Sequence, residues 1–227
     1  MQPYFLPYIG YFQLIAAVDK FVIYDNIKYT KKGWINRNRM LQNGRDVMFT
    51  LPLKSDSDAL DVRDRVLGAD FNPDKLLSQF KNAYRTAPQF DPVFRVLESI
   101  VQYGDRNLFR YIHHSVAEIC DYLDIATEIQ ISSQIAIDHS LKSQDKVLAL
   151  CQALHADTYI NTSGGVELYS RADFTERQIE LKFIRPKPLS YAQLGNEFVP
   201  WLSIIDVLMF HPVEAIQPLL TTHYEFI

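Results

Sequence analysis

A chain of 227 residues, 48% hydrophobic and 22% charged, can bury a sizeable core and is too apolar for a disordered segment or a long solvated coiled coil. Its net charge of −4 argues against a general nucleic-acid binder, which would carry a basic surface. The uncharged runs are about one helix long and broken by Pro or Gly, too short to span a bilayer, and no basic leader precedes an apolar run with a cleavage site. A cytoplasmic protein without a membrane span is expected.

The chain opens on a loop, Met1-Gln2-Pro3-Tyr4-Phe5-Leu6-Pro7, that leads into a helix over residues 8–18, where Ile9, Phe12 and Ile15 recur at helical spacing. Residues 20–24 (KFVIY) form a short apolar run ending at Asp25, as in a buried parallel strand. A helix feeding a parallel strand normally follows an earlier strand. Such a strand is expected upstream of Met1, or an extended residues 1–4 in its place. Residues 35–41 and 47–53 flank Gln42-Asn43-Gly44 and predict a hairpin; residues 62–67 predict a further strand. Asn72-Pro73-Asp74 then starts three helices, over 75–85, 92–103 and 106–123, the last with Leu108, Ile112, Val116, Ile119 and Leu123 on one stripe.

Beyond Asp124 the pattern alternates: strand 127–132, helix 143–155, strand 157–160, short helices 164–169 and 172–178, strand 180–184, helices 200–210 and 213–220. Alternation of this kind implies one α/β domain over residues 1–227, with a mainly parallel, Rossmann-like sheet flanked by helices, a β-hairpin, and residues 72–124 as an inserted helical lobe. Cys120 and Cys151 lie inside helical patterns and read as free core thiols. His113 and His114 are adjacent and face different ways, so no metal site is expected.

Four constellations carry chemistry. In the first, two prolines stiffen a loop bearing Gln2, Tyr4, Tyr8 and Tyr11 ahead of a helix N-terminus, which suits a phosphate or carboxylate. Gly10 allows close approach of backbone or ligand. The competing reading is an aromatic helix packed on a sheet. In the second, Lys31, Lys32, Gly33, Trp34, Ile35, Asn36, Arg37, Asn38 and Arg39 run together. In a strand, Asn36 and Asn38 share one face and Arg37 and Arg39 the other. Paired arginines suit an anion, asparagines suit sugar hydroxyls, and Trp34 suits a sugar ring or base. The bland alternative is a solvated basic hairpin.

In the third, Asn161, Ser163, Gly164 and Gly165 lie in a strand–turn–helix segment, the place where open α/β sheets bind ligands. It is neither a Walker A nor a GxGxxG loop, and a plain helix cap is the alternative. In the fourth, Ser203 and Asp206 share a helix face, and Asp206 in an apolar helix needs either a buried partner or a role as general base.

Together these segments resemble the WbqC-like family of bacterial proteins. The matching stretches are Gln-Pro-Tyr-Phe-Leu-Pro-Tyr-Ile-Gly-Tyr-Phe at residues 2–12, Lys-Lys-Gly-Trp-Ile-Asn-Arg-Asn-Arg at 31–39, the Tyr-Ile-Asn-x-x-Gly-Gly-x-x-Leu-Tyr turn at 159–169, and Phe-x-Pro-x-Leu-Ser-Ile-Ile-Asp at 198–206. The stretch Ser190-Tyr191-Ala192-Gln193 departs from the family's Tyr-Pro-Gln. The resemblance implies a role in O-antigen or surface-polysaccharide biosynthesis: acyl or aminoacyl transfer, such as glycyl transfer, to an amino sugar or nucleotide-linked sugar.

On that footing Arg37 and Arg39, with Lys31 or Lys32, would hold the anionic part of a small substrate. Asn36, Asn38, Tyr8 and Asn161 would read its polar part. Asp25, at a strand's carboxyl end, or Asp206 would take the amine proton. The layout is also similar to nucleotidyl-transferring folds, but Tyr8-Ile9-Gly10-Tyr11 stands where those carry His-x-Gly-His, and tyrosine supplies no cation. An ATP-using ligase or nucleotidyl transferase, and a non-catalytic module binding a sugar nucleotide or a protein, are the rival readings. No cofactor and no oligomeric state is legible.

Overall fold

In the computed structural model, which describes residues 1–195 and 197–227, the first loop is anchored before any helix begins. The Met1 backbone lies beside β1 (Lys20–Ile23): its amine donates to the Val22 carbonyl at 2.6 Å, and its carbonyl accepts from the Tyr24 N–H at 2.9 Å. One extended residue thus pairs where a preceding strand is expected. The helix α1 (Ile9–Ala16) is apolar almost all round, and its residues through Ile15 are buried. The Nε2 of its Gln13 is satisfied at the end of α8 (Val213–Thr222), where it donates to the Leu219 and His223 carbonyls at 2.8 and 3.1 Å. Helix ends leave such carbonyls open, so one side chain serves both partners.

β1 pairs in parallel with β4 (Glu128–Ile131). β2 (Arg37–Gln42) and β3 (Arg45–Thr50) form the expected hairpin, turning at Asn43 and Gly44 with φ of 51° and 74°, the conformation a two-residue type I′ turn needs. β5 (Thr158–Thr162) pairs in parallel with β6 (Glu180–Pro186), and β6 pairs antiparallel with β7 (Tyr224–Phe226), a strand not read from the sequence. The expected mainly parallel, Rossmann-like sheet is therefore present only in part. Its two parallel pairs belong to separate small sheets. A cleft of about 640 Å³ lies between them, walled by Val22 and Tyr24 on one side and Tyr159 and Asn161 on the other. Beyond Met1, no backbone joins the facing edges of β1 and β5 into a ladder among the described residues.

Three helices follow the hairpin: α2 (Pro73–Tyr84), α3 (Phe90–Val101) and α4 (Leu108–Tyr122). Asn72 and Asn107 cap α2 and α4 by accepting from Lys75 N–H and Arg110 N–H. They share one core with the hairpin and the first loop, through ring contacts of Phe80 with Phe49, Phe49 with Phe5, and Phe5 with Tyr111. A second, smaller core of Val147, Leu148, Cys151, Phe174, Ile179, Leu181 and Phe183 sits between β5–β6 and the helices α5 (Ser143–Ala153) and α6 (Arg171–Glu176).

Local differences from the sequence reading have plain causes. Residues 62–67 hold a single 3-10 turn, Val62–Asp64, because bridges from Leu67 to Leu53 and from Val66 to Asn107 draw that segment into a loop. The turn after β5 is a 3-10 turn, Ser163–Leu168. The helix expected over 200–210 begins only as α7 (Ile204–Phe210), since Trp201 has φ of 60° and Ser203 caps the helix from outside. Among the described residues no helix is long and apolar enough to cross a membrane.

Candidate functional site

The first loop is held rigidly from beneath. Leu6 has φ of 45°, a left-handed conformation rare for a bulky residue. Its carbonyl accepts from Asn38 Nδ2 at 2.8 Å and Ser203 Oγ at 2.7 Å. Phe5 N–H donates to Ile35, Ile204 N–H to Pro7, and the Tyr11 hydroxyl to the Gln2 carbonyl. Asn36 is spent likewise: its Oδ1 accepts from Tyr29 OH at 2.8 Å and its Nδ2 donates to the Leu51 carbonyl at 2.8 Å.

The strand alternation at 36–39 is as expected, but the asparagine face points inward. Asn36, Asn38, Tyr11 and Ser203, candidates for substrate contact, are buried, and Asn38 and Ser203 tie the loop to the hairpin and α7. Gly10 admits the ring of Tyr8, which a Cβ there would overlap, rather than a ligand. Gln2, Tyr4 and Tyr8 keep surface.

The basic residues do not form an open fork. Arg37 donates to the Lys32 and Gly33 carbonyls, curling the turn before it. Arg39 pairs with Asp46 at 3.1 Å and donates to the Trp201 carbonyl at 3.0 Å, and Lys31 pairs with Asp58 at 2.8 Å. Of the four cations expected to hold an anion, Lys32 is exposed with none of these ties.

Asp206 is fully buried, 0% exposed. It accepts from Tyr84 OH at 3.0 Å, Tyr191 OH at 2.6 Å and Gln193 Nε2 at 2.6 Å. Burial lifts its carboxyl above the ordinary range, while the three donors oppose the rise. Asp206 thus has the buried partners it needs, as a hub joining α2, α7 and residues 191–193. The stretch that departs from the family pattern supplies two of the three donors.

A polar cluster lies at the carboxyl ends of β1 and β4, where open α/β sheets bind ligands. Asp25, 4% exposed, accepts from Ser132 Oγ at 2.9 Å, Ser133 N–H at 3.0 Å and Ser133 Oγ at 2.6 Å, with an Arg63 nitrogen at 3.9 Å. It fixes the two strand ends together. Next to it, Asn26 Oδ1 shares the single Ser132 hydroxyl proton with Asp25, 2.7 Å from Oγ, and accepts from Lys146 Nζ at 3.1 Å, and Asn26 Nδ2 meets a His139 ring nitrogen at 3.1 Å.

Lys146, on α5, is only 8% exposed, and its ammonium stands 5.4 Å from the centre of the Tyr24 ring. Among the described residues no carboxylate lies within ion-pair distance of it. Burial pulls its pKa down, opposed by Asp61 and Asp25. An ammonium has three donors; the Asn26 bond uses one. Lys146, Asn26, Ser132, Ser133 and His139 are missing from the sequence reading. A signal existed for Lys146, which stands four residues ahead of buried Leu150, in phase with the apolar stripe of α5.

The turn after β5 borders the same region without forming an anion cradle. Asn161 Nδ2 donates to the hydroxyls of Tyr159 and Tyr169, both at 3.0 Å, and its Oδ1 accepts from Thr162 N–H. Gly165 is buried against Asn161, where a Cβ would lie 3.2 Å from Nδ2, while Gly164 is exposed and Ser163 half-buried. Burial raises the phenols of Tyr24 and Tyr159; Tyr169 adds to both, and Tyr24 adds to Tyr159. Among the described residues no His, Cys, Asp and Glu cluster of three or more has the makings of a metal site.

The pattern of the WbqC-like protein family matches residues 2–218. An uncharacterized protein of Mycobacterium tuberculosis is 28% identical over 219 residues, covering 95% of this chain and 94% of its own. No solved structure matches the chain.

Proposed function

The chain belongs to the WbqC-like protein family, and from that premise we propose that it is a transferase placing an acyl or aminoacyl group, such as glycyl, on a nucleotide-linked amino sugar in O-antigen or surface-polysaccharide synthesis. Lys146 carries this reading. A cation 8% exposed, with one hydrogen-bond acceptor and a ring face as its company, is costly unless a negative group completes it. Its place at the carboxyl ends of the strands is where a substrate's diphosphate would sit.

The amine attacks the acyl carbonyl carbon and the new C–N bond forms; the bond from acyl group to carrier breaks with its electron pair on the carrier, which takes up the proton the amine loses. Asp25 acts as a positioning residue, since Ser132 and Ser133 occupy its oxygens and it holds Asn26 against Lys146. The exposed side chains of Gln2 and Lys32 and the half-buried Tyr4 are left for the rest of the substrate.

The test is calorimetric titration with nucleoside diphosphate-linked amino sugars, followed by mass spectrometry of incubations with acyl donors. Lys146→Ala is expected to weaken binding about ten-fold or more, the size of one charge-assisted hydrogen bond lost, and Lys146→Arg to restore part of it. A mass gain equal to the acyl group identifies the product. Wild-type affinity in Lys146→Ala sinks the reading. Binding without product from every donor supports a binding module instead, and preferential binding of Mg–ATP an ATP-using ligase.

A further inference from the structure

Both tryptophans of the chain lie at the surface, Trp34 44% and Trp201 61% exposed. Arg39 joins them. Its guanidinium carbon lies 5.7 Å from the centre of the Trp34 ring, and its Nη2 donates to the Trp201 carbonyl at 3.0 Å. Among the described residues Arg39 Nε is buried with no partner. The Trp201 backbone, at φ of 60°, is held by that carbonyl bond, and its ring meets Tyr8 edge-on at 5.9 Å. Trp34 is thus backed by a fixed arginine and keeps open surface, on a turn that Arg37 also braces.

Residues 1–5 link this surface to the neighbourhood of Lys146. The Met1 carbonyl is bonded to Tyr24 N–H, beside Lys146, and Phe5 N–H is bonded to the Ile35 carbonyl, beside Trp34. Four residue steps of extended chain cover at most about 14 Å. The bridging residues Gln2 and Tyr4, joined by a bond from Tyr4 OH to Gln2 Oε1 at 3.2 Å, keep polar surface along that span.

Resting on the anion site proposed above, we infer that Trp34 is the stacking platform for the nucleobase of the nucleotide-linked substrate. In such a molecule the base is the flat ring held away from the diphosphate by a ribose, so a base stacked on Trp34 lies outward of a diphosphate at Lys146, along the residues 1–5 that join the two. The sugar, joined directly to the diphosphate, stays near Lys146. A tryptophan face takes any base, because every base has a π-face.

The two tryptophans make the test direct, since intrinsic fluorescence reports on nothing else as strongly. Wild-type protein is titrated with UDP, ADP, GDP and inorganic diphosphate. At least one nucleotide is expected to quench the fluorescence and to bind more tightly than diphosphate. The quench persists in Trp201→Phe, where Trp34 is the remaining tryptophan. Trp34→Leu binds that nucleotide roughly ten-fold or more weakly yet binds diphosphate as before, and Trp34→Phe falls between.

The inference is overturned if Trp34→Leu keeps wild-type nucleotide affinity, or if no nucleotide outbinds diphosphate. In the second case the anion site at Lys146 stands, provided Lys146→Ala loses diphosphate. Nucleotide binding that depends on Trp34 while diphosphate fails to bind keeps the platform and removes the anion site. Failure of every probe overturns both.

Discussion

A buried lysine without a carboxylate partner is a stability cost, and the direction of its pKa states that cost. Burial holds the Lys146 ammonium below its ordinary value, so the unfolded chain binds the proton more tightly than the folded one. The cost is present in full below the folded pKa and fades as pH rises toward about 10.4, the unfolded value. Lys146→Met, which removes the charge and keeps the stem, is therefore expected to raise Tm near neutral pH by about 2–4 °C, about 1 kcal/mol for a chain of this size, with the gain shrinking at alkaline pH. The same variant loses diphosphate binding. A variant that is less stable and binds normally refutes this account of Lys146. Asp206 predicts the opposite outcome. Its removal in Asp206→Ala leaves Tyr84, Tyr191 and Gln193 without their shared buried acceptor, and unmet buried donors cost about 1–3 kcal/mol each, without simple additivity. A loss of about 3 kcal/mol in urea denaturation is expected, and a loss under 1 kcal/mol would remove Asp206 from its place as a hub.

The hairpin is the element the sequence specifies best, because its turn is chemical rather than statistical. Asn43 and Gly44 both require positive φ, and Gly44 at 74° carries no steric penalty there. Gly44→Ala is expected to cost about 1 kcal/mol, read as a shifted urea midpoint with an unchanged slope. An unaffected midpoint would mean that tertiary contacts alone set this turn. Period and capping residues place α1 through α5 and α8 within a few residues of their true ends, for the same local reasons. What stays illegible is non-local. The alternation at Asn36 to Arg39 tells which residues share a face, but only the loop at Leu6, distant in sequence, makes the asparagine face the inner one. Lys146 and Asn26 come together across 120 residues, and no spacing rule reaches so far. The split of one expected parallel sheet into two is of the same kind, since neither β1 nor β5 shows in its own residues which neighbour its free edge will meet.

At the scale of the whole molecule, two cores of unequal size share one chain. The larger runs from the first loop through the hairpin and α2–α4 to α7 and α8, whereas seven buried side chains make up the smaller one around β5 and β6. A unit with few buried apolar contacts opens at lower free energy than its surroundings, and the cleft between the sheets removes a β ladder that would couple β5 to β1. Each core holds one cysteine, and both are free: Cys120 in the larger, 4% exposed, and Cys151 in the smaller, 6% exposed. Burial pushes the Cys120 thiol up to about 12 and the Cys151 thiol up to about 11, so neither reacts as a thiolate until its core opens. Thiol labelling followed by mass spectrometry thus reads each core's opening separately. Cys151 is expected to label faster than Cys120, with a weaker dependence on urea, because exposing a small unit uncovers less surface than exposing the whole. Saturating nucleotide should slow Cys151 and leave Cys120 little changed, because α5 carries both Cys151 and Lys146. Equal rates with equal urea dependence would mean that the two cores unfold as one unit, and the cleft would then separate the sheets in space without separating them in stability.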